Sequence, residues 1–162
     1  MTRPTSLEAG GPCSIARSLT VLGERWTLLV IREALLGRTR FNEFQAALRV
    51  STDILGKRLD GLVEAGVLER RPYREAGHRE RYAYHLTPAG RDLVPIIAAF
   101  MNWGDTHLAG PSGPPAQMRR RSNGAAIEVA LLDAEGQRVP FDDVECVPGA
   151  GASEARGGCG AA

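Results

Sequence analysis

Apolar positions recur at helical spacing over most of the chain, with an interval of strand-like sequence in the middle. From Cys13 to Leu22, Ile15, Leu19 and Leu22 lie three or four apart and Gly23 marks a stop, which predicts a first helix. Glu24 to Leu36 carries Trp26, Leu28, Leu29, Val30, Ile31, Leu35 and Leu36. A helix apolar nearly all round is a buried central helix, and Gly37 ends it. Phe41 to Leu48 reads as a short third helix with Phe41, Phe44, Ala47 and Leu48 turned inward. Arg49-Val50 leaves room only for a tight turn into the next segment, Ser51 to Gly66. There Ser51 is the N-cap, Leu55, Leu59, Leu62 and Val63 share one face, and Gly66 is a left-handed stop. Its other face holds Asp53, Lys57, Asp60 and Glu64. Alone, this is an ordinary amphipathic helix; joined so tightly to its predecessor, it completes a helix-turn-helix.

Val67 to Tyr73, a polar turn over 74–79, and Glu80 to Leu86 follow as a β-hairpin, the order of a winged helix-turn-helix. Thr87 then caps a helix with Pro88 in its first position, running to about His107. Pro95 falls inside it, either as a kink or as the start of its straight part. Leu93, Ile96, Ile97, Phe100, Met101 and Trp103 make a broad apolar surface, more than a small domain needs for its own core. That excess predicts packing on a second subunit. The expected organisation is a domain over 12–108, a linker over 109–123, a β-hairpin appendage over 124–147 and a disordered Gly/Ala-rich tail over 148–162. Within the appendage, Ala126 to Leu132 and Gln137 to Pro140 form the hairpin, and Val144 to Val147 is a candidate third strand. The fold class expected is mainly α with a small β-hairpin wing.

Charge changes the picture more than composition does. The net charge of +1 hides a segregation: Arg38 to Arg81 holds ten Lys/Arg against seven Asp/Glu, and Tyr82 onward six against nine. The basic excess lies where a reading head would need phosphates. No apolar run of ~18 residues is present to span a membrane, and the first residues lack a secretory pattern, so a cytoplasmic protein is expected. The three cysteines, Cys13, Cys146 and Cys159, and the scattered His78, His85 and His107 have no metal-ligand spacing. No catalytic constellation or phosphate-binding glycine loop is visible, so neither an enzyme nor a cofactor is expected.

The stretch C-S-I-A-R-S-L-T-V-L-G-E-R-W-T-L-L-V-I-R-E-A-L-L-G resembles the opening of the HxlR-type transcriptional regulators. Further matches are R-F-N-E-F-Q at 40–45, S-T-D-I-L-G-K-R-L at 51–59, L-V-E-A-G-V-L-E-R-R-P-Y at 62–73, Y-H-L-T-P-A-G at 84–90 and W-G at 103–104. Each motif is weak; the ordered set over residues 12 to 108 is specific. Ser14 departs from a usual proline, and Gly56 stands where Ser or Thr is common, which puts one DNA contact in doubt.

The resemblance implies a winged helix-turn-helix that binds double-stranded operator DNA as a homodimer. With a recognition helix entering the major groove by its N-terminal end, Ser51, Thr52, Lys57 and Arg58 are the candidate DNA contacts. Arg58 is the candidate for bidentate readout; its alternative role is an ion pair with Asp60 or Glu64. Arg40 and Asn42 begin the third helix, where backbone N–H groups favour a phosphate, and Arg79 sits at the wing tip. First and last helices build the dimer in this family, which points to Ile15, Leu19, Ile96, Ile97, Phe100 and Trp103. Cys13 starts a helix with Arg17 one turn on, a setting that stabilises a thiolate. Some family members respond to oxidants or electrophiles through a cysteine at this place, so Cys13 and Arg17 are a candidate redox sensor. The alternative is a small apolar residue in an interface. A small molecule is the other candidate effector. Three readings stand: a regulator, as a repressor of its targets; a winged-helix protein-interaction module that does not read DNA; and a small enzyme using the Cys13 thiol, which has no supporting base nearby in sequence. Asp53, Asp60 and Glu64 support the second.

Overall fold

In a computed structural model of the chain, residues 13–77, 79–108 and 110–149 are described. The expected frayed start, the wing-tip His78, Cys159 and all but the first residues of the tail lie outside them. Four helices come first: α1 (Ser14–Leu22), α2 (Arg25–Leu35), α3 (Phe41–Leu48) and α4 (Thr52–Glu64). A hairpin of β1 (Leu68–Tyr73) and β2 (Arg81–Leu86) follows, then α5 (Pro88–Arg91) and α6 (Val94–His107). A small second hairpin pairs β3 (Leu131–Leu132) with β4 (Arg138–Val139). The architecture is a mainly helical winged helix. It divides into two compact units, one reaching to Asp92 and one spanning Leu93–Val147.

The core of the first unit is what the periodicity requires. Val30, Ile31, Phe44, Leu55, Leu59, Leu62 and Leu68 are the large side chains fully removed from water. Each contributes on the order of 2 kcal/mol through burial. Two expectations about facing fail. Phe41 is only half-buried and Ala47 is exposed, because α3 is short and its burial rests on Phe44 and Leu48. Leu36, which closes α2, is exposed, and the buried face of α2 includes Thr27 and Glu33.

Glu33 is buried but not unpaired. Its carboxylate accepts from Arg32 Nε at 2.9 Å and from the Arg38 guanidinium. The helix end makes this possible: Gly37 takes φ 93°, its N–H reaches Ala34 O at 3.0 Å, and the Arg38 N–H reaches Glu33 O at 3.1 Å. This double closure turns the chain so that Arg38 folds back over the end of α2. The same closure ends α4, where Gly66 has φ 69° and the Val67 N–H reaches Leu62 O at 2.9 Å.

The hairpin is antiparallel, in register from Leu68 opposite Leu86 to Tyr73 opposite Arg81. The link over 38–40 is more than a joint: Arg40 bridges Ala83, and the Tyr84 N–H donates to Thr39 O at 2.7 Å. The start of α3 is thereby fixed to the wing. Thr87 locks the far end, its hydroxyl donating to Gly66 O at 2.6 Å and accepting from the Gly90 N–H at 3.0 Å. A Cβ at Gly90 would lie 2.2 Å from Val67 O, so only glycine lets the backbones approach this closely.

The single helix expected from Thr87 to His107 is two helices. Pro95 lacks an N–H and its ring would strike the carbonyl four residues back, so α5 ends at Arg91 and Pro95 sits in the first turn of α6. The appendage also differs from expectation. Its strands are two residues each, since Pro140 cannot continue the ladder, and Val144 to Val147 forms no strand. Arg119 of the expected linker instead makes a small bridge with Ala126 of the expected hairpin. Among the described residues no helix is long and apolar enough to cross a membrane, and no group of His, Cys, Asp or Glu is arranged to hold a metal ion.

Candidate nucleic-acid interface

The turn between α3 and α4 sets the geometry of the reading head. Arg49 closes α3 in the left-handed region at φ 51°, its N–H on Gln45 O at 2.8 Å. Ser51 then caps α4, its hydroxyl accepting from the Ile54 N–H at 3.4 Å. With Leu55, Leu59 and Leu62 buried, α4 turns Thr52, Asp53, Ile54, Lys57 and Asp60 to solvent. Gly56 and Gly61 have open space where a side chain would be, so another molecule can approach this face closely. Ser51, Thr52 and Lys57 therefore lie exposed at or near the helix start, as expected.

Arg58 does not join them in full. Its side chain is 29% exposed, and its outer nitrogen stands 3.6 Å from a carboxylate oxygen of Glu24, the residue capping α2. Its Nε is buried without a partner among the described residues. The anticipated ion-pair partners were Asp60 and Glu64, but Asp60 is taken by Arg70 of β1. Helical geometry explains the difference: Arg58 flanks the buried Leu55–Leu59–Leu62 stripe and leans toward α2.

The start of α3 is likewise already occupied. Glu43 accepts from the backbone N–H groups of Arg40 and Thr39, both at 2.9 Å. These two bonds hold the Glu43 carboxyl below its ordinary value of 4.5. A phosphate expected at these N–H groups would meet a resident carboxylate. The Arg40 guanidinium pairs with Glu75 at 2.6 Å and lies 4.7 Å from the Tyr73 ring centre. Asn42 is exposed beside a groove shared with Tyr73, Arg81 and Tyr82, so helix start and wing do meet.

The cations of this region sort into two groups. Arg38, Arg40, Arg58, Arg70 and Arg71 are each committed to a carboxylate. Arg49, Lys57, Arg79 and Arg81 are exposed and make no ion pair among the described residues. Lys57 and Arg79 were legible as candidates; Arg49 and the role of Arg81 were not. The missed signal at Arg49 is that a two-residue joint between helices demands a left-handed residue, and the sequence puts a cation there instead of glycine.

The two helices expected to dimerise each carry an exposed apolar stripe. On α1 it is Ile15 and Leu19; on α6 it is Ile96, Phe100 and Trp103, the last two 60% and 56% exposed. Ile97 departs from the expectation, being 4% exposed in the single chain. It lies one residue off the stripe, on the packed side of α6. Cys13 is half-buried as the N-cap of α1, a free thiol whose carbonyl accepts from the Arg17 N–H at 3.0 Å. The Arg17 guanidinium donates to Ser14 Oγ at 3.0 Å.

Comparison with known proteins gives the family. The profile of the HxlR-like helix-turn-helix matches residues 21–111. An HTH-type transcriptional regulator of Mycobacterium bovis is 40% identical over 139 residues, covering 85% of this chain and 87% of the relative. A solved structure described as a transcription factor of Pseudomonas aeruginosa superposes with a TM-score of 0.61 at 38% identity, over 88% of this chain and 96% of the other. The redox regulator HypR in its reduced form superposes with a TM-score of 0.54 at 27% identity, over 59% of this chain and 94% of HypR. The chain belongs to the HxlR-like helix-turn-helix family, a class of transcriptional regulators and not of enzymes.

Proposed function

We propose that the protein is a homodimeric repressor that binds a palindromic operator in double-stranded DNA through α4 and the wing. The observation that carries this reading is the set of exposed cations without an ion pair among the described residues, Arg49, Lys57, Arg79 and Arg81, on the turn, the helix and the hairpin. Such cations bind phosphate without first breaking an ion pair. Ser51, Thr52 and Asn42 add hydrogen-bonding groups at the two helix starts. Arg40 contributes after exchanging Glu75 for phosphate, an exposed pair worth only about 1 kcal/mol or less. Arg58 holds α4 against α2 and presents part of its fork. The exposed stripes on α1 and α6 form the dimer contact, which sets two recognition helices about one DNA turn apart.

The test is a binding titration on DNA upstream of the protein's own gene at several salt concentrations. The affinity falls steeply with salt, and Lys57→Ala or Arg79→Ala each lowers the slope by about one. Arg58→Ala lowers affinity and thermal stability together. A salt-independent interaction, or none on any promoter fragment, sinks the reading and favours a protein-interaction module.

Release by an oxidant is the second element of the proposal, supported by the free, half-buried Cys13 on the stripe-bearing α1 and by the likeness to a redox regulator. Two thiols, one Cys13 from each protomer, would join as a disulfide while a diamide-type oxidant takes up the two electrons and two protons. Cys13→Ser abolishes both the cross-linked dimer on a non-reducing gel and the change in DNA affinity. Persistence of either excludes the switch.

A further inference from the structure

Within the second unit, α6 packs one face against the chain that follows it. That face holds Ala98, Met101, Asn102 and Asp105, at a spacing that aligns them along the helix. A face packed against protein ordinarily carries apolar side chains, yet half of this one is polar. Asp105 is half-buried, and its carboxylate makes no ion pair or hydrogen bond among the described residues. Asn102 beside it is exposed, and its side-chain amide makes no hydrogen bond among the described residues. A partly desolvated carboxylate with no partner costs stability, and its retention calls for a use.

The space in front of them supplies one. A cavity of about 230 Å³ opens between α6 and residues 114–129, walled by Met101, Met118 and Ile127, with Asn102, Asp105 and Gln117 at its polar side. Cavities of roughly 150 Å³ already take up benzene. We propose that this cavity is a binding site for a small organic cation, an amine carrying one compact apolar or aromatic group. Asp105 pairs with the ammonium, Asn102 adds a hydrogen bond, and the two methionines, flexible and polarizable, close on the apolar part. The helix that lines the site carries Ile96, Phe100 and Trp103 on its opposite side. On the regulator reading above, on which this last step rests, an occupied cavity alters the surface through which α6 meets a second subunit.

The full chain labelled at its methionine methyl groups gives a direct readout, since it holds three methionines, Met1, Met101 and Met118. Benzylamine shifts the Met101 and Met118 signals saturably. Benzyl alcohol and benzoate, the neutral and anionic analogues, bind at least about tenfold more weakly, as does benzylamine to Asp105→Asn. Equal binding of the three molecules, or no saturable shift up to roughly 10 mM benzylamine, overturns the proposal. If Asp105→Asn loses its helical signal, the comparison of the three ligands on the unaltered protein decides alone. No DNA is present in this titration, so its failure removes the cavity proposal only, and a failed promoter titration removes the regulator reading only.

Discussion

The winged unit and the C-terminal unit use the same local devices to different effect. Both contain tight turns, left-handed residues and side chains that cap backbone groups. In the second unit, Asp133 Oδ1 accepts the N–H groups of Glu135 and Gln137 at 3.1 and 2.8 Å, and Gly136 takes φ 78°. This is as well-formed a turn as any in the winged unit. Yet among the described residues the largest fully buried side chains all lie in the winged unit, while Leu132, Val147 and Phe141 stay 62%, 64% and 69% exposed. Good turn chemistry shapes a segment; burial makes it stable.

Removing burial from each unit breaks the comparison most sharply. Leu59→Ala, at a fully buried position, destabilises the winged unit by about 3 kcal/mol in urea unfolding. Leu132→Ala, at an exposed one, changes stability by no more than about 0.5 kcal/mol. A large, concentration-dependent loss with Leu132→Ala means instead that a second copy covers this hairpin.

The contrast also explains what could be read from sequence. The helices α1 to α4 and the wing were legible because each lays a periodic apolar face on one core, and because Ser51, Gly66, Thr87 and Pro88 announce their ends. The expected third strand at Val144–Val147 and the longer hairpin were not recoverable, since alternation without a surface to bury against carries no constraint. The candidate site was legible only in part. Exposure of Lys57 follows from helical phase alone. The partners of Arg58 and Arg40 do not: Glu24 lies 34 residues from one and Glu75 lies 35 from the other, and only the folded chain joins them. Glu43 was missed as a cap because Arg40, where a Ser or Thr marks the usual motif, conceals the pattern.

Caps give the next comparison. Glu43→Gln keeps the shape at the start of α3 but removes the charge that two N–H groups bond. It costs the winged unit about 1 kcal/mol at neutral pH. Because the folded carboxyl titrates below its ordinary value of 4.5, this stabilisation is complete above that value and is lost as pH falls through the folded pKa. The difference between wild type and Glu43→Gln, measured by thermal unfolding, therefore shrinks in acid. Asp133→Asn, which alters the cap in the second unit, leaves the main transition unmoved. A pH-independent Glu43→Gln effect would mean that the charge contributes nothing to the cap.

Left-handed residues give the smallest and most informative one. Gly136 adopts its conformation without cost, but Arg49 adopts φ 51° against the steric preference of any residue with a Cβ. Fold stability alone would favour glycine there, so Arg49→Gly raises the winged unit's unfolding free energy by about 0.5 kcal/mol, the relief of strain being offset in part by the greater freedom of unfolded glycine. If Arg49 is retained for its guanidinium, the same change weakens DNA binding and lowers the salt slope by about one. Stability and affinity then move in opposite directions at a single turn residue. Should both rise together, Arg49 makes no phosphate contact, and the unpaired cations of the interface reduce to Lys57 and the two wing arginines.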